Sequence, residues 1–154
     1  MENTFSIRLL EERDLGQVAQ LFDAYRQFYE QPSDLELAQR YISERQQQRQ
    51  SVILVAANGN AQLAGFCQLY PTFCSLEAKP VYVLYDLFVA PQARGQGIAS
   101  KLMSAAAVQA RTAGMVRLDL STAKTNLPAQ ALYTAQGWKR DNEFYTYSLG
   151  VKLD

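Results

Sequence analysis

Val89-Ala90-Pro91-Gln92-Ala93-Arg94-Gly95-Gln96-Gly97-Ile98-Ala99-Ser100 is the stretch that decides the fold of this chain. Before it, residues 81–89 form a nearly continuous apolar run, the pattern of a strand covered on both faces. Pro91 stops that run, because proline cannot donate to a sheet ladder. After it, Ala99, Leu102, Met103, Ala106, Ala110 and Ala113 recur at helical spacing, so residues 95–113 read as a helix whose alanines permit close packing onto a sheet. A buried strand, a glycine turn and a helix in immediate succession are a unit of an α/β sheet.

The same stretch has the chemistry of an anion site. Two glycines at a helix start let the backbone approach a ligand without side-chain obstruction. The first turn of a helix carries N–H groups without intrahelical acceptors and a partial positive charge, which suit phosphate or pyrophosphate. Arg94 adds a full charge and a bidentate donor. No Gly-Lys-Ser/Thr follows, so this is not a Walker loop, and the third glycine of the dinucleotide fingerprint is missing. On these residues alone, a tight turn without a ligand is the alternative.

Outward from this centre, residues 5–10 alternate as a half-buried strand. Asp14 stands at the N-cap of a helix carrying Leu15, Val18, Ala19, Phe22, Tyr25, Phe28 and Tyr29. Gln31-Pro32-Ser33-Asp34 breaks it, and Leu35, Leu37, Ala38, Tyr41 and Ile42 line a second helix with a solvated tail at 44–50. Residues 51–57 and 61–73 read as a hairpin about Asn58-Gly59-Asn60. Past the central helix come a strand at 116–120, a short helix at 126–136 with Pro128 in its first turn and Gly137 at its end, and one or two strands over 138–149. The expected architecture is a mixed, splayed α/β sheet of six to seven strands with helices on both faces, in a single domain over residues 1–154.

Composition narrows the function. The 154 residues hold 15 basic and 15 acidic side chains and no histidine. Zero net charge argues against bulk nucleic-acid binding and against a polybasic membrane surface. The lack of histidine excludes a Ser-His-Asp triad, a Cys-His dyad and any histidine-ligated metal, and no metal is expected. Cys67 and Cys74, seven extended residues apart, are separated by roughly 23 Å, far beyond disulfide reach. Free thiols, the absence of a signal-peptide pattern in residues 1–10 and the absence of a long apolar run point to a cytoplasmic protein.

Two motifs carry a resemblance. Gln92-x-x-Gly95-x-Gly97, preceded by Asp86-Leu87-Phe88-Val89 and Pro91, resembles the signature loop of the GNAT superfamily of N-acetyltransferases. Asn126-x-x-Ala129-x-x-Leu132-Tyr133-x-x-x-Gly137-Trp138 resembles that superfamily's second signature, in the expected order. The likeness spans residues 5–149. Tyr70-Pro71-Thr72-Phe73, the 85–89 segment and Glu143-Phe144-Tyr145 are similar to diamine, polyamine and histone acetyltransferases.

The resemblance implies acetyl transfer from acetyl-CoA to a primary amine by direct attack in a ternary complex. It implies that backbone N–H groups of Arg94, Gly95, Gln96, Gly97, Ile98, Ala99 and Ser100 hold the pyrophosphate, and that Leu87, Phe88 and Val89 carry the pantetheine arm as an added strand would. Asn126 is an N-cap, and the resemblance adds a hydrogen bond to the cofactor's arm. Tyr133 is a core aromatic on spacing alone, and the resemblance makes it the acid that protonates the departing thiolate. Asp86 is the only charge in its apolar strand. It either anchors and deprotonates the amine or serves as an internal hydrogen-bond acceptor. The polyamine relatives place a glutamate before this aspartate, where this chain has Tyr85. Tyr29, Glu30, Tyr70 and Tyr85 are candidate acceptor-site residues, with Phe28, Phe73, Tyr82 and Glu77 as further walls. Alternatives are a protein lysine or N-terminal acetyltransferase and a noncatalytic acyl-CoA-binding module. The aromatic end at 138–149, together with the resemblance, implies a homodimer.

Overall fold

The computed structural model describes residues 4–153. Residues 1–3 of the stretch read against a signal peptide, and Asp154 at the end of the expected domain, lie outside them. The described residues group into two compact units, divided after Ser121.

The first unit is built on a sheet in the order β1-β2-β3-β4-β5. β1 (Ser6–Leu9), β2 (Val52–Ala57), β3 (Leu63–Cys74) and β4 (Lys79–Val89) are antiparallel neighbours, and β5 (Leu118–Asp119) joins β4 in parallel. The sheet is therefore mixed, as the patterning predicts. The hairpin turn is closed by Asn58, whose carboxamide oxygen accepts from the N–H groups of Asn60 and Gln62 at 2.9 Å. Gln17 then ties that turn to the first helix, donating to the Ala61 carbonyl and accepting from the Leu63 N–H.

Helices α1 (Leu15–Phe28) and α2 (Leu35–Gln47) cover one face. Val18, Phe22, Ala38 and Ile42 pack there with Ile53, Val55, Phe66 and Phe88. Residues alternate across a strand, so Leu54, Ala56 and Cys67 belong to the reverse face. Helix α3 (Ile98–Thr112) packs on β2, β3 and β4 and buries Ile98, Leu102, Met103, Ala106 and Ala110. Gly65 allows β3 and β4 their spacing near the glycine turn: a Cβ there would meet the Phe88 carbonyl oxygen at 2.8 Å and Val89 Cα at 3.3 Å.

Asp14 holds the N-cap position of α1 but makes no side-chain cap bond. Its buried carboxylate instead takes both arms of Arg8, at 2.6 and 3.0 Å, and the Glu11 N–H at 2.8 Å. Asp23 organises the break between the helices, accepting from Gln27, Ser33 and the Asp34 N–H.

The second unit contains α4 (Leu127–Ala135), with the N-cap and C-terminal glycine anticipated for it. Asn126 Oδ1 accepts from the Ala129 N–H at 3.2 Å. Gly137 takes φ +88°, and the Trp138 N–H returns to the Tyr133 carbonyl at 3.0 Å.

The strand count differs from expectation. Among the described residues there are five strands, not six to seven, and residues 138–149 contribute none. Aromatic residues favour extension, but an extended segment becomes a strand only with a hydrogen-bonded neighbour. The second unit holds no other strand to pair with it. Residues 116–120 shorten to the two-residue β5 for a related reason: their ladder with β4 runs through Tyr82–Leu118 and Val83–Asp119, with one further bond from the Val116 N–H to the Pro80 carbonyl. No helix among the described residues is long and apolar enough to cross a membrane.

Candidate active site

Two features of β4 create the site. The first is a bulge. Gln68 lies opposite Asp86 and Leu69 opposite Leu84, so Tyr85 has no partner on β3. An extra residue bends and twists its strand, and Tyr85 is left 65% exposed beside the nearly sealed Asp86. The second feature is a splay. β5 leaves β4 after Val83, so among the described residues the remainder of β4 is laddered on its β3 side alone. Leu87, Phe88 and Val89 are the last three residues of β4 along this half-paired length. Such an edge offers main-chain donors and acceptors to an extended ligand.

The glycine turn follows directly. Pro91–Ala93 make one 3-10 turn, Arg94 donates from Nε to the Val89 carbonyl at 3.0 Å, and its guanidinium lies 5.5 Å from the centre of the Phe88 ring. Arg94 thus braces the turn against the end of β4, and its own N–H points back to the Pro91 carbonyl at 3.4 Å. Gly95 and Gly97 have φ of +79° and +75°, where a side chain is strained. A Cβ on either would meet no atom within 4 Å, so the space above both is open. Gln96 is exposed between them. Gly97 is the N-cap of α3 and has no side chain to cap with, and no acidic residue stands in the first turn. Helices α2 and α4, by contrast, are capped by Asp34 and Asn126. The N-terminal turn of α3 carries the partial positive charge of a helix start, which suits an anion.

Beside the bulge lies a cluster of tyrosines around Asp86, the candidate acceptor side. That carboxylate is 2% exposed and takes a hydrogen bond from the Gln68 carboxamide. Burial pushes its pKa up, and hydrogen bonds from Gln68 and Tyr25 oppose the rise. The Tyr25 hydroxyl, with one proton to share between that carboxylate and its neighbour, lies 3.3 Å from the Tyr85 carbonyl. Tyr29 packs edge-on against Tyr25, with ring centres 5.1 Å apart. Tyr70 and Tyr85 are 5.4 Å apart, and the Tyr70 and Tyr41 hydroxyls are hydrogen-bonded at 2.6 Å. Burial and the nearby Asp86 charge raise the pKa values of Tyr25 and Tyr70, so both stay protonated at neutral pH.

Tyr29, Tyr70, Tyr85 and Asp86 are therefore brought together, and Glu30 follows Tyr29 on an exposed left-handed turn. Phe28 joins them, its ring 5.2 Å from that of Tyr29, but the other three walls do not. Tyr82 is core at 3% exposure, Phe73 is exposed, and Glu77 is paired with Arg117 at 3.2 Å. Cys67 is fully buried with its thiol pushed up to about 12, so it is no nucleophile. Within the second unit, Tyr133 is half-buried on α4, with its ring 6.2 Å from that of Trp138. Sequence reasoning missed Tyr25, Tyr41 and Gln68 as site residues. Gln68 carried a usable signal: a lone polar residue in an apolar strand must find a partner, and the adjacent apolar strand held one.

A sequence profile of the acetyltransferase (GNAT) family matches residues 17–138. The chain belongs to that family. It is 42% identical over 146 residues to an uncharacterized N-acetyltransferase, YhfO, of Bacillus subtilis, a match covering 95% of this chain and 97% of that protein. Its structure resembles a crystal structure of a probable acetyltransferase with a TM-score of 0.89 and 37% identity, covering 97% of this chain and 99% of the other. It also shares its fold with an aminoglycoside N-acetyltransferase solved in complex with CoA, at a TM-score of 0.81, 18% identity and 97% coverage of both. As a GNAT member the chain is an acetyl-transferring enzyme.

Proposed function

We propose that this GNAT protein transfers the acetyl group of acetyl-CoA to the primary amine of a small molecule, as one catalytic domain in the cytoplasm. The observation that carries the reading is the continuity of three elements on one strand: the buried Asp86 at the bulge, the half-paired backbone of residues 87–89, and the uncapped, open glycine turn.

In this reading the N–H groups of Gly95, Gln96, Gly97, Ile98, Ala99 and Ser100 face the pyrophosphate; Arg94, expected to join them, turns its N–H to the Pro91 carbonyl and instead holds the turn in shape and supplies positive charge. The backbone of Leu87, Phe88 and Val89 aligns the pantetheine arm. One N–H of that segment stabilises the oxyanion that forms when the amine attacks the thioester carbonyl. The amine must arrive with a free lone pair. Asp86, made more basic by burial against the opposing pull of its donors, accepts the proton directly or through water. Tyr133 returns a proton to the departing thiolate, and Asn126 adds a bond to the arm beyond its capping role. Tyr25, Tyr29, Tyr70 and Tyr85 offer aromatic faces to the ammonium form as it enters.

Tyr85 replaces the glutamate that the polyamine resemblance calls for, and Glu77 is engaged by Arg117. The acceptor is accordingly taken as a small amine, with no commitment to a polyamine. Assembly as a homodimer belongs to the same proposal, and a monomeric mass by light scattering would end that part of it. The test of the acceptor is thiol release from acetyl-CoA across spermidine, aminoglycosides, amino acids and lysine peptides. Turnover on small amines is expected. Turnover on peptides alone would turn the reading to a protein acetyltransferase, and none on any, with CoA still bound, to a noncatalytic module.

A further inference from the structure

Asp86 is served by a chain of donors that begins on another element. Gln46, in the last turn of α2, donates from Nε2 to Ser51 Oγ at 3.2 Å, and the Ser51 hydroxyl donates to Gln68 Oε1 at 2.9 Å. Gln68 Nε2 then donates to Asp86 Oδ2. Gln68, Asp86 and Ser51 are 0%, 2% and 8% exposed. Every donor in the chain points the same way, toward the carboxylate. The expectation that residues 44–50 form only a solvated tail is thereby amended at Gln46.

We propose that Gln68 is a positioning residue for the reaction, holding Asp86 Oδ2 in place and keeping that carboxylate ionised through a donor chain that runs from Gln46 through Ser51. The proposal rests on Asp86 as the proton acceptor only for its kinetic consequence. The physical argument is polarity. A buried carboxylate with no donors protonates to escape its desolvation cost. A primary amide supplies a donor only when its other end is fixed, because it can flip. Ser51, itself an acceptor for Gln46, donates to Gln68 Oε1 and so fixes which end faces Asp86. The bulge completes the arrangement, since it is the register shift at Gln68 and Leu69 that sets Gln68 opposite Asp86 with Tyr85 left over.

The titratable groups facing Asp86 are Tyr25 from α1 and Tyr70 from β3, Cys67 lies close by on the reverse face of β3, and Arg45 of α2 acts on this group through Tyr70. Tyr25, Cys67 and Tyr70 are all shifted upward, so none titrates alongside Asp86 in the acid range.

The test is a titration of Asp86 by carbon NMR at its carboxyl carbon, in wild type, Gln68→Met and Ser51→Ala, paired with the pH profile of kcat/KM. Gln68→Met keeps the length and removes the donor. The Asp86 midpoint is expected to rise by about one pH unit or more, the scale of a lost charge-assisted hydrogen bond. Ser51→Ala should move it in the same direction by less. The acid limb of kcat/KM should follow the midpoint, with KM for acetyl-CoA unchanged. Coincident midpoints in the three proteins would overturn the proposal. A midpoint that moves while the rate limb stays would refute Asp86 as the base and with it Gln68 as a positioning residue for the reaction. If Gln68→Met does not fold, Ser51→Ala and Gln68→Asn carry the same comparison.

Discussion

Gly97→Ala separates a glycine needed by the chain from a glycine needed by a ligand. Gly97 has φ +75°, and a Cβ there would meet no protein atom within 4 Å. The free protein should therefore suffer only the strain of a left-handed alanine, about 1–2 kcal/mol. At about 2–4 °C per kcal/mol for a domain of this size, the melting temperature should fall by only a few degrees. The bound state should suffer far more. The methyl group would stand in the open space over the first N–H groups of α3, where the pyrophosphate is proposed to sit. Losing two charge-assisted hydrogen bonds there costs about 3 kcal/mol or more, so affinity for CoA should drop by more than about a hundredfold. Thermal unfolding without ligand and calorimetric titration with CoA read the two effects separately. A melting temperature lowered as stated with CoA affinity within about threefold of wild type would refute the reasoning, because the glycine would then serve the turn alone.

Other perturbations address the chemistry. Tyr133→Phe should lower turnover by about tenfold or more while leaving acetyl-CoA affinity unchanged, and equal turnover in steady-state assays would remove Tyr133 as the acid. Asp86→Asn should lower turnover by about a hundredfold or more yet raise the melting temperature at pH 7. Because the folded pKa of Asp86 is raised, its favourable contribution is complete only below the unfolded value near 3.8 and is lost as pH rises through the folded value, so the gain from Asn should vanish in acid. A lower melting temperature for Asp86→Asn at pH 7 would contradict this. Iodoacetamide at neutral pH should modify Cys74, whose thiol is lowered by backbone N–H groups and Arg117, and spare Cys67; a Cys67 adduct on folded protein by mass spectrometry would be contrary.

Much of this architecture is legible in the chain because its signals are local. Pro91, Gly95 and Gly97 mark the turn, the alanine stripe marks α3, Asn58-Gly59-Asn60 marks the hairpin, and Asn126 and Gly137 mark both ends of α4. Hydrogen bonding across distance is less legible. The bulge at Tyr85 is a property of register between β3 and β4, and neither strand announces it alone. Tyr25 sits on the apolar stripe of α1 and reads as core, yet its hydroxyl reaches a carbonyl sixty residues away. Asp14 reads as a cap until Arg8 is found beside it. The aromatic residues of 138–149 record a preference for extension, while the ladder that would make the segment a strand depends on a neighbour that the segment itself does not specify.

Amide NMR spectra recorded while acetyl-CoA is added test the central claim most directly. Shifts concentrated in residues 87–100, led by the N–H signals of Gly95, Gly97, Ile98 and Ala99, are the predicted result. Saturable binding that leaves those signals in place would contradict it.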